Sequence, residues 1–322
     1  MLSHTDPPLV RRLVDRLVTG DPTCAVVVDH DPAGPGLGEL GPAGRVHVRG
    51  TPRAGGWGGF GLVDGTLRSL DWIRRELAPA WVVLLSGQHY PTQPPARVRD
   101  QLLATDADAL MDAWRVVDAV PASEADRWWT ARYFDAWWSL PRAPIGLPAA
   151  GTRIRLGLQR RLSLAQPWLF VWSLPRGQGT RVGVRRRRVP FSPEWPCRAG
   201  SQWFALSARA LEGVCAFAQR RPDVVAHYRR TIIPDESFFV TVVGNDPDLR
   251  PAGPSPTYAP IDGSHAALLQ LSDLDAVVAS GRFFARKVES VASAALLDAL
   301  DERIAGGGAP EPADSGSDPA KL

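Results

Sequence analysis

Apolar residues recur every three to four positions near the start of the chain, at Leu9, Val10, Leu13, Val14, Leu17 and Val18. Pro7 and Pro8 precede them, where a first helical turn tolerates proline, so a helix is predicted almost at once. Cys24 to Val28 is a short apolar run, which reads as a buried strand ending in Asp29-His-Asp31 and a Pro/Gly loop. Arg45 to Val48 is a second strand candidate. After the turn-rich Gly55 to Gly59, Leu62, Val63, Leu67, Leu70, Ile73 and Leu77 form one helical stripe. Trp81 to Leu85 predicts a further buried strand, ending in Ser86-Gly-Gln-His-Tyr-Pro91, and Pro94 to Leu103 a further helix.

Such strand–helix alternation predicts an α/β fold with a mostly parallel sheet flanked by helices. In sheets of that kind ligands lie beyond the carboxyl ends of the strands, which marks the loops after Val28 and Leu85. From Ala119 to Arg198 the chain is rich in Trp, Arg and Pro, and its weak periodicity predicts no elements. Gly200 to Ser207 reads as a strand leading into a helix capped by Ser207. Pro234-Asp-Glu-Ser-Phe-Phe239 opens another helix with acidic residues in its first turn. Asn245 to Gly263 reads as a loop. Ser272 or Asp273 caps a helix through Val278, and a last amphipathic helix spans about 288–304. The Gly/Ala/Pro/Asp/Ser tail, 306–322, lacks the apolar content to order itself. The pattern divides into one domain over 1–305, in two halves of about 1–118 and 119–305.

Composition narrows this only slightly. The chain has 322 residues, 44% hydrophobic and 22% charged, which suits a globular protein without staples. Cys24, Cys197 and Cys215 fit neither a disulfide framework nor metal-ligand spacing, and read as reduced packing residues. No secretory leader or apolar run of membrane-spanning length is visible, so the expected compartment is the cytoplasm, with at most peripheral membrane association. A net charge of +3 does not by itself point to nucleic acid. The densest basic run, Arg176 to Arg188, comes with no recognised nucleic-acid motif and reads as a solvated hairpin. Lys287 and Lys321 are the only lysines, which singles out Lys287 as a compact point charge where arginine serves nearly everywhere else.

Seven segments, taken in order, carry a resemblance: Ser3-His-Thr-Asp-Pro-Pro-Leu9, Val26-Val-Val-Asp-His-Asp31, Trp57-Gly-Gly-Phe-Gly-Leu-Val63, Leu84-Leu-Ser-Gly-Gln-His-Tyr-Pro91, Gly200-Ser-Gln-Trp-Phe-Ala-Leu-Ser207, Ile233-Pro-Asp-Glu-Ser-Phe-Phe239 and Phe284-Ala-Arg-Lys287. Together they resemble the branching β-1,6-N-acetylglucosaminyltransferase and peptide O-xylosyltransferase family, glycosyltransferase family 14, over roughly residues 3 to 300. Each segment alone is weak; their order and spacing make the set specific.

The resemblance implies a GT-A-like, Rossmann-type fold and inverting transfer of N-acetylglucosamine or a related sugar. The donor is a UDP-sugar and the acceptor a carbohydrate hydroxyl on a glycan or glycoconjugate. It implies Glu236 as the general base. Lys287, with Arg286 second, would neutralise the diphosphate in place of a metal, so no cofactor is expected. Asp31, Ser86, Gly87 and His89 fall on the nucleotide side, and Gln202, Trp203 and Asp235 on the acceptor side. Taken without the resemblance, Asp235 and Glu236 read as ordinary first-turn acids and Arg286-Lys287 as a solvated pair; Gln202 and Trp203 stand evenly between acceptor floor and core, and Trp128, Trp129, Trp137 and Trp138 read as core, with a sugar groove as the alternative. Asp29-His-Asp31, Asp106-Ala-Asp108, Asp246-Pro-Asp248 and Asp273-Leu-Asp275 have the form of a manganese-binding pair, but patterns this short recur by chance.

Three departures stand out. His89 occupies a position that the family makes acidic, and Thr257 and Ile261 stand near where it often places Arg and Trp. The opening apolar strand of the family is also missing ahead of Ser3. Xylose transfer, or glycan or anion binding without turnover, are the alternatives.

Overall fold

The computed structural model describes residues 1–50, 58–116, 124–140, 168–173, 180–262 and 265–306. Trp57, residues 176–179 of the 176–188 basic run and the tail beyond 306 lie outside the described residues.

The chain opens with β1 (Leu2–Ser3) and α1 (Pro7–Gly20). Asp6 caps α1 by accepting the Leu9 N–H, and the six apolar residues of the stripe are all buried. Each such side chain contributes ~1.5–3 kcal/mol by leaving water. β2 (Val26–His30) and β3 (Val46–Gly50) lie one to two residues beyond their predicted positions. β1, β2 and β3 form a parallel sheet in the order β1-β2-β3, with Leu2 opposite Asp29. On its other edge β1 bridges in parallel to Ser86, and the Leu2 N–H donates to Leu85 O. This corrects the expectation of a missing first strand: a two-residue strand is present, seated between β2 and the Ser86 turn.

α2 (Gly61–Glu76) packs over β2, and β4 (Trp81–Val83) and β5 (His89–Pro91) follow. α3 (Pro95–Ala104) lies against α1, then come β6 (Ala109–Leu110) and β7 (Trp114–Arg115). α4 (Glu124–Phe134) runs into β8 (Asp135–Leu140), which with β9 (Leu169–Ser173) and β10 (Thr180–Arg185) makes an antiparallel sheet with β10 in the centre. The charge run is therefore not wholly solvated. Arg181 is buried and donates to Gly58 O, Arg185 meets Asp135 and Arg186 meets His227; Arg187 and Arg188 are exposed.

β11 (Arg198–Ala199) and β12 (Ala205–Ser207) precede α5 (Ala208–Arg220), whose N-terminus Ser207 caps as its sequence predicts. α6 (Pro222–Tyr228) is followed by a 3-10 turn (Pro234–Glu236) and α7 (Phe238–Gly244), so the predicted helix at Pro234 breaks into two at Ser237. The 245–263 loop holds β13 (Pro251–Ala252), β14 (Thr257–Tyr258) and β15 (Ile261–Asp262), the last paired with β16 (His265–Ala266). A 3-10 turn (Leu271–Asp273), α8 (Leu274–Ala279), β17 (Phe284–Arg286) and α9 (Ala294–Ala305) complete the order.

The fold is mixed α/β, in several small mixed sheets; the expectation of a mostly parallel sheet is corrected. Among the described residues only the β1-β2-β3 sheet is parallel throughout. β4 pairs with β12 antiparallel, β12 with β6 antiparallel, and β5 with β17 antiparallel. The reason is sequence separation. Helix–strand alternation fixes direction only between strands joined by one crossover, and β4 and β12 are joined by residues 84–204.

Candidate active site

The Pro234–Glu236 turn is held from three directions. The Glu236 carbonyl accepts the Gly200 N–H at 2.8 Å. Only glycine fits at 200, since a Cβ there would lie 1.8 Å from Asp112 O. The Ile233 N–H donates to Gly58 O at 2.8 Å, and Ser237, fully buried, donates to Arg198 O at 2.6 Å. Ile233 has φ of 49°, a left-handed conformation that a β-branched residue avoids. Strain of this kind persists where surrounding contacts over-determine it, and it turns Pro234-Asp-Glu236 out of line with the preceding chain.

Glu236 faces Arg132, the last-turn arginine of α4. Arg132 Nη2 is 2.5 Å from Glu236 Oε2, with side-chain exposures of 4% and 37%. Glu236 Oε1 has no partner among the described residues. Arg132 also lies over the Trp129 ring, 4.3 Å from its centroid. Asp235 is buried, its Oδ1 without a partner among the described residues. Burial, then the charge of Glu236, pushes the Asp235 carboxyl up to about 7.

Trp203 is buried between two predicted site residues. Arg286 Cζ stands 4.8 Å from its ring centroid, and the His89 ring meets it edge-on at 4.4 Å. The antiparallel register of β5 and β17, which sets Arg286 opposite His89, builds this stack. His89 is fully buried, and its Nδ1 accepts the Ser86 N–H at 2.9 Å and lies 2.8 Å from Ser86 Oγ. The ring hydrogen therefore sits on Nε2, a buried atom with no partner among the described residues. Burial, then the Arg286 charge, holds His89 well below the ordinary imidazole value. The basic side chain thus fixes the Ser86 turn as a neutral group.

Asp31, Ser86 and Gly87 gather around β1. The Asp31 N–H donates to Ser3 O and the Gly87 N–H to Leu2 O. Lys287 lies nearby along the chain of contacts, since the Val288 N–H donates to Gln88 O. Its Nζ is 3.0 Å from Glu289 Oε1, so its charge is paired locally. Arg286 has no ion-pair partner among the described residues. Gln202 is half-buried beside Trp203.

The structure therefore brings Trp203, Arg286 and His89 into one stack, with His89 linking it to Ser86 and the β1 end, while Asp235 and Glu236 share the 3-10 turn and the charge of Glu236 acts on Arg286. Arg132 and Trp129 were missed by sequence reasoning as parts of the site. Their three-residue spacing on a helix signals an Arg–aromatic pair. Contact with Glu236, 104 residues away, has no local signal. Of the acidic patterns, Asp29 accepts from Ser69 Oγ and Asp31 from the Ala33 N–H. Among the described residues no three His, Cys, Asp or Glu side chains converge as metal ligands. No helix among them is long and apolar enough to cross a membrane.

No protein-family model matches the chain, and a search of curated proteins gives no match.

The buried Asp235 carries a pH prediction. Its carboxyl is raised from 3.8 to about 7, so its neutral form stabilises the fold at low pH and that contribution is lost as pH rises through this window. Comparison with Asp235→Asn cancels the other titrating groups, among them His227, pushed down to about 4 by burial, and Asp135, pushed up to about 6. The stability of wild type relative to Asp235→Asn should fall by ~1.4 kcal/mol per pH unit across the window in denaturant titrations. A flat difference would mean that Asp235 titrates as an exposed acid does.

Proposed function

We propose that this chain is an inverting, GT-A-like glycosyltransferase that moves N-acetylglucosamine or a related sugar from a UDP-sugar to a carbohydrate hydroxyl, with Glu236 as its base. The observation that carries the reading is the state of Glu236. One carboxylate oxygen is held by a buried arginine and the other is without a partner among the described residues, in a turn fixed from three sides and near the charge of Arg286. Oε1 would take the proton of the acceptor hydroxyl as that oxygen bonds to the anomeric carbon. The bond from that carbon to the diphosphate oxygen breaks, and its electron pair leaves with UDP. Arg286 is the cation best placed to neutralise the leaving diphosphate, ahead of Lys287, whose charge Glu289 already balances. The parallel β1-β2-β3 sheet, with Asp31 and the Ser86 turn at its carboxyl end, supports a nucleotide side there.

One observation favours binding without turnover: a 2.5 Å pair with a buried arginine is also what a purely structural glutamate makes. A screen of UDP-sugars against glycan acceptors, read as UDP release, separates the two. The expected result is acceptor-dependent UDP release that EDTA does not inhibit, because the reading assigns diphosphate neutralisation to arginine. Calorimetric UDP binding without release from any donor would favour the binding reading. EDTA inhibition reversed by manganese would move the diphosphate role to a metal.

A further inference from the structure

We infer that Arg132 is the positioning residue of the site: it fixes Glu236 Oε2 so that Oε1 is the oxygen presented to the acceptor. The inference rests on the reading of Glu236 as base and assigns a function to a residue that no sequence motif marks.

Burying a guanidinium costs several kcal/mol unless a counter-charge and hydrogen bonds compensate. Arg132 is 4% exposed, and its one carboxylate contact among the described residues is Glu236. Its own position is set independently of that contact. The Arg132 carbonyl accepts the Ile232 N–H at 3.2 Å, and the following Tyr133 donates its hydroxyl to Ile233 O at 3.4 Å. Trp129 and Tyr133 flank the guanidinium, with centroids 4.3 and 5.2 Å from its carbon. The α4 end is thereby tied to the strained Ile233 turn that carries Glu236, and the ion pair closes the same loop through side chains. The carboxylate consequently has a fixed direction, with the other oxygen left for a ligand.

Among the described residues, the charged and titratable groups around the pair are Tyr133 from α4, Asp235 from the 3-10 turn, Arg286 from β17, and Cys197. The charge of Glu236 opposes ionisation of Asp235, and Arg132 favours it. Arg132 alone of the two cations touches the carboxylate. Removing it leaves two neighbouring carboxyl groups with one more distant cation, an arrangement in which one of them holds its proton.

The test compares the kcat–pH profiles of wild type, Arg132→Met and Arg132→Lys with UDP-N-acetylglucosamine as probe, the folded fraction of each being known from its melting curve. In Arg132→Met the acid limb of the profile should move upward by ~1–3 pH units, the effect of one adjacent charge. Lysine should restore most of that limb, since an ammonium supplies the charge without the planar fork. At neutral pH, kcat of Arg132→Lys should stay below wild type by on the order of tenfold, because charge returns and aim does not. Should Arg132→Met fail to fold, Arg132→Gln removes the charge and keeps a donor. Superimposable kcat–pH profiles in wild type and the neutral variant would overturn the inference. So would a kcat loss in Arg132→Lys that merely tracks its unfolded fraction. If Glu236→Gln itself turns over normally, the reading of Glu236 as base fails whatever Arg132 does; an inactive Glu236→Gln with unmoved Arg132 profiles sinks only the role given to Arg132.

Discussion

Glu236→Gln is expected to lower sugar transfer by ~10²–10⁴-fold while leaving UDP affinity nearly unchanged, the range typical of removing a positioned base. The substitution keeps shape and one acceptor oxygen, so the turn from Pro234 to Ser237 should survive it. The Gly200 bond goes to the Glu236 main chain and the Ser237 network does not involve the side chain. It does remove the counter-charge of a buried arginine, and a modest stability loss should accompany the loss of rate. That separation is useful. A structural glutamate would show the stability loss with little change in rate per folded molecule, whereas a base shows a rate loss far larger than any loss of folded protein. The measurement is kcat on protein whose folded fraction is known from its melting curve. Turnover of the mutant within a few-fold of wild type would remove Glu236 from the mechanism.

Where the chain was legible, short-range physics decided the outcome. The α1 stripe, the Ser207 cap and the strand before the Ser86 turn depend on residues within a few positions of one another. Pro234-Asp-Glu236 was legible as a helix start, but its break at Ser237 was not. That break follows from Ser237 turning inward to Arg198 O, Tyr228 and Thr241, contacts made by chain 4 to 39 residues away. Strand direction was illegible for the same reason. The pairing of β4 with β12 is decided by what happens over 84–204, the part of the chain with the weakest periodicity. The Ser86 turn shows both sides of this. Its loop position was readable, yet the role of His89, where the family is acidic, was not. In the folded chain the imidazole is a buried neutral acceptor that shapes the turn and props Trp203. For the Arg286-Lys287 pair, the sequence reading put Lys287 first, but it held no sign of the partners that separate the two. Neighbours in a chain at a strand end face different partners, and only the fold gives Glu289 to one and Trp203 to the other.

That difference sets the last expected result: Arg286→Ala should weaken UDP binding by roughly ten- to a hundredfold, the worth of one charge-assisted contact, and Lys287→Ala should weaken it much less. Arg286 stacks on Trp203 with its guanidinium plane supported by the indole, so little rotational freedom is lost when a diphosphate meets its tips. Its Nε is buried without a partner among the described residues. Lys287 must first give up Glu289, and its 32% exposed ammonium is already solvated, so the net gain from turning it to a phosphate is small. The two variants also differ in what else they break. Arg286→Ala uncovers one side of Trp203 and removes the charge that, after burial, disfavours protonation of His89. The His89 imidazole should then accept a proton at a higher pH than in wild type, which a ¹⁵N titration of the ring detects independently of ligand. Arg286→Lys restores the charge at shorter reach, and should recover the His89 titration more fully than the UDP affinity. Calorimetric titration of UDP into wild type, Arg286→Ala, Arg286→Lys and Lys287→Ala decides the order. Should Lys287→Ala prove the weaker binder, the Glu289 pair is a resting contact that UDP breaks, and the diphosphate lies on the Ser86–Gln88 side of β17, away from Trp203.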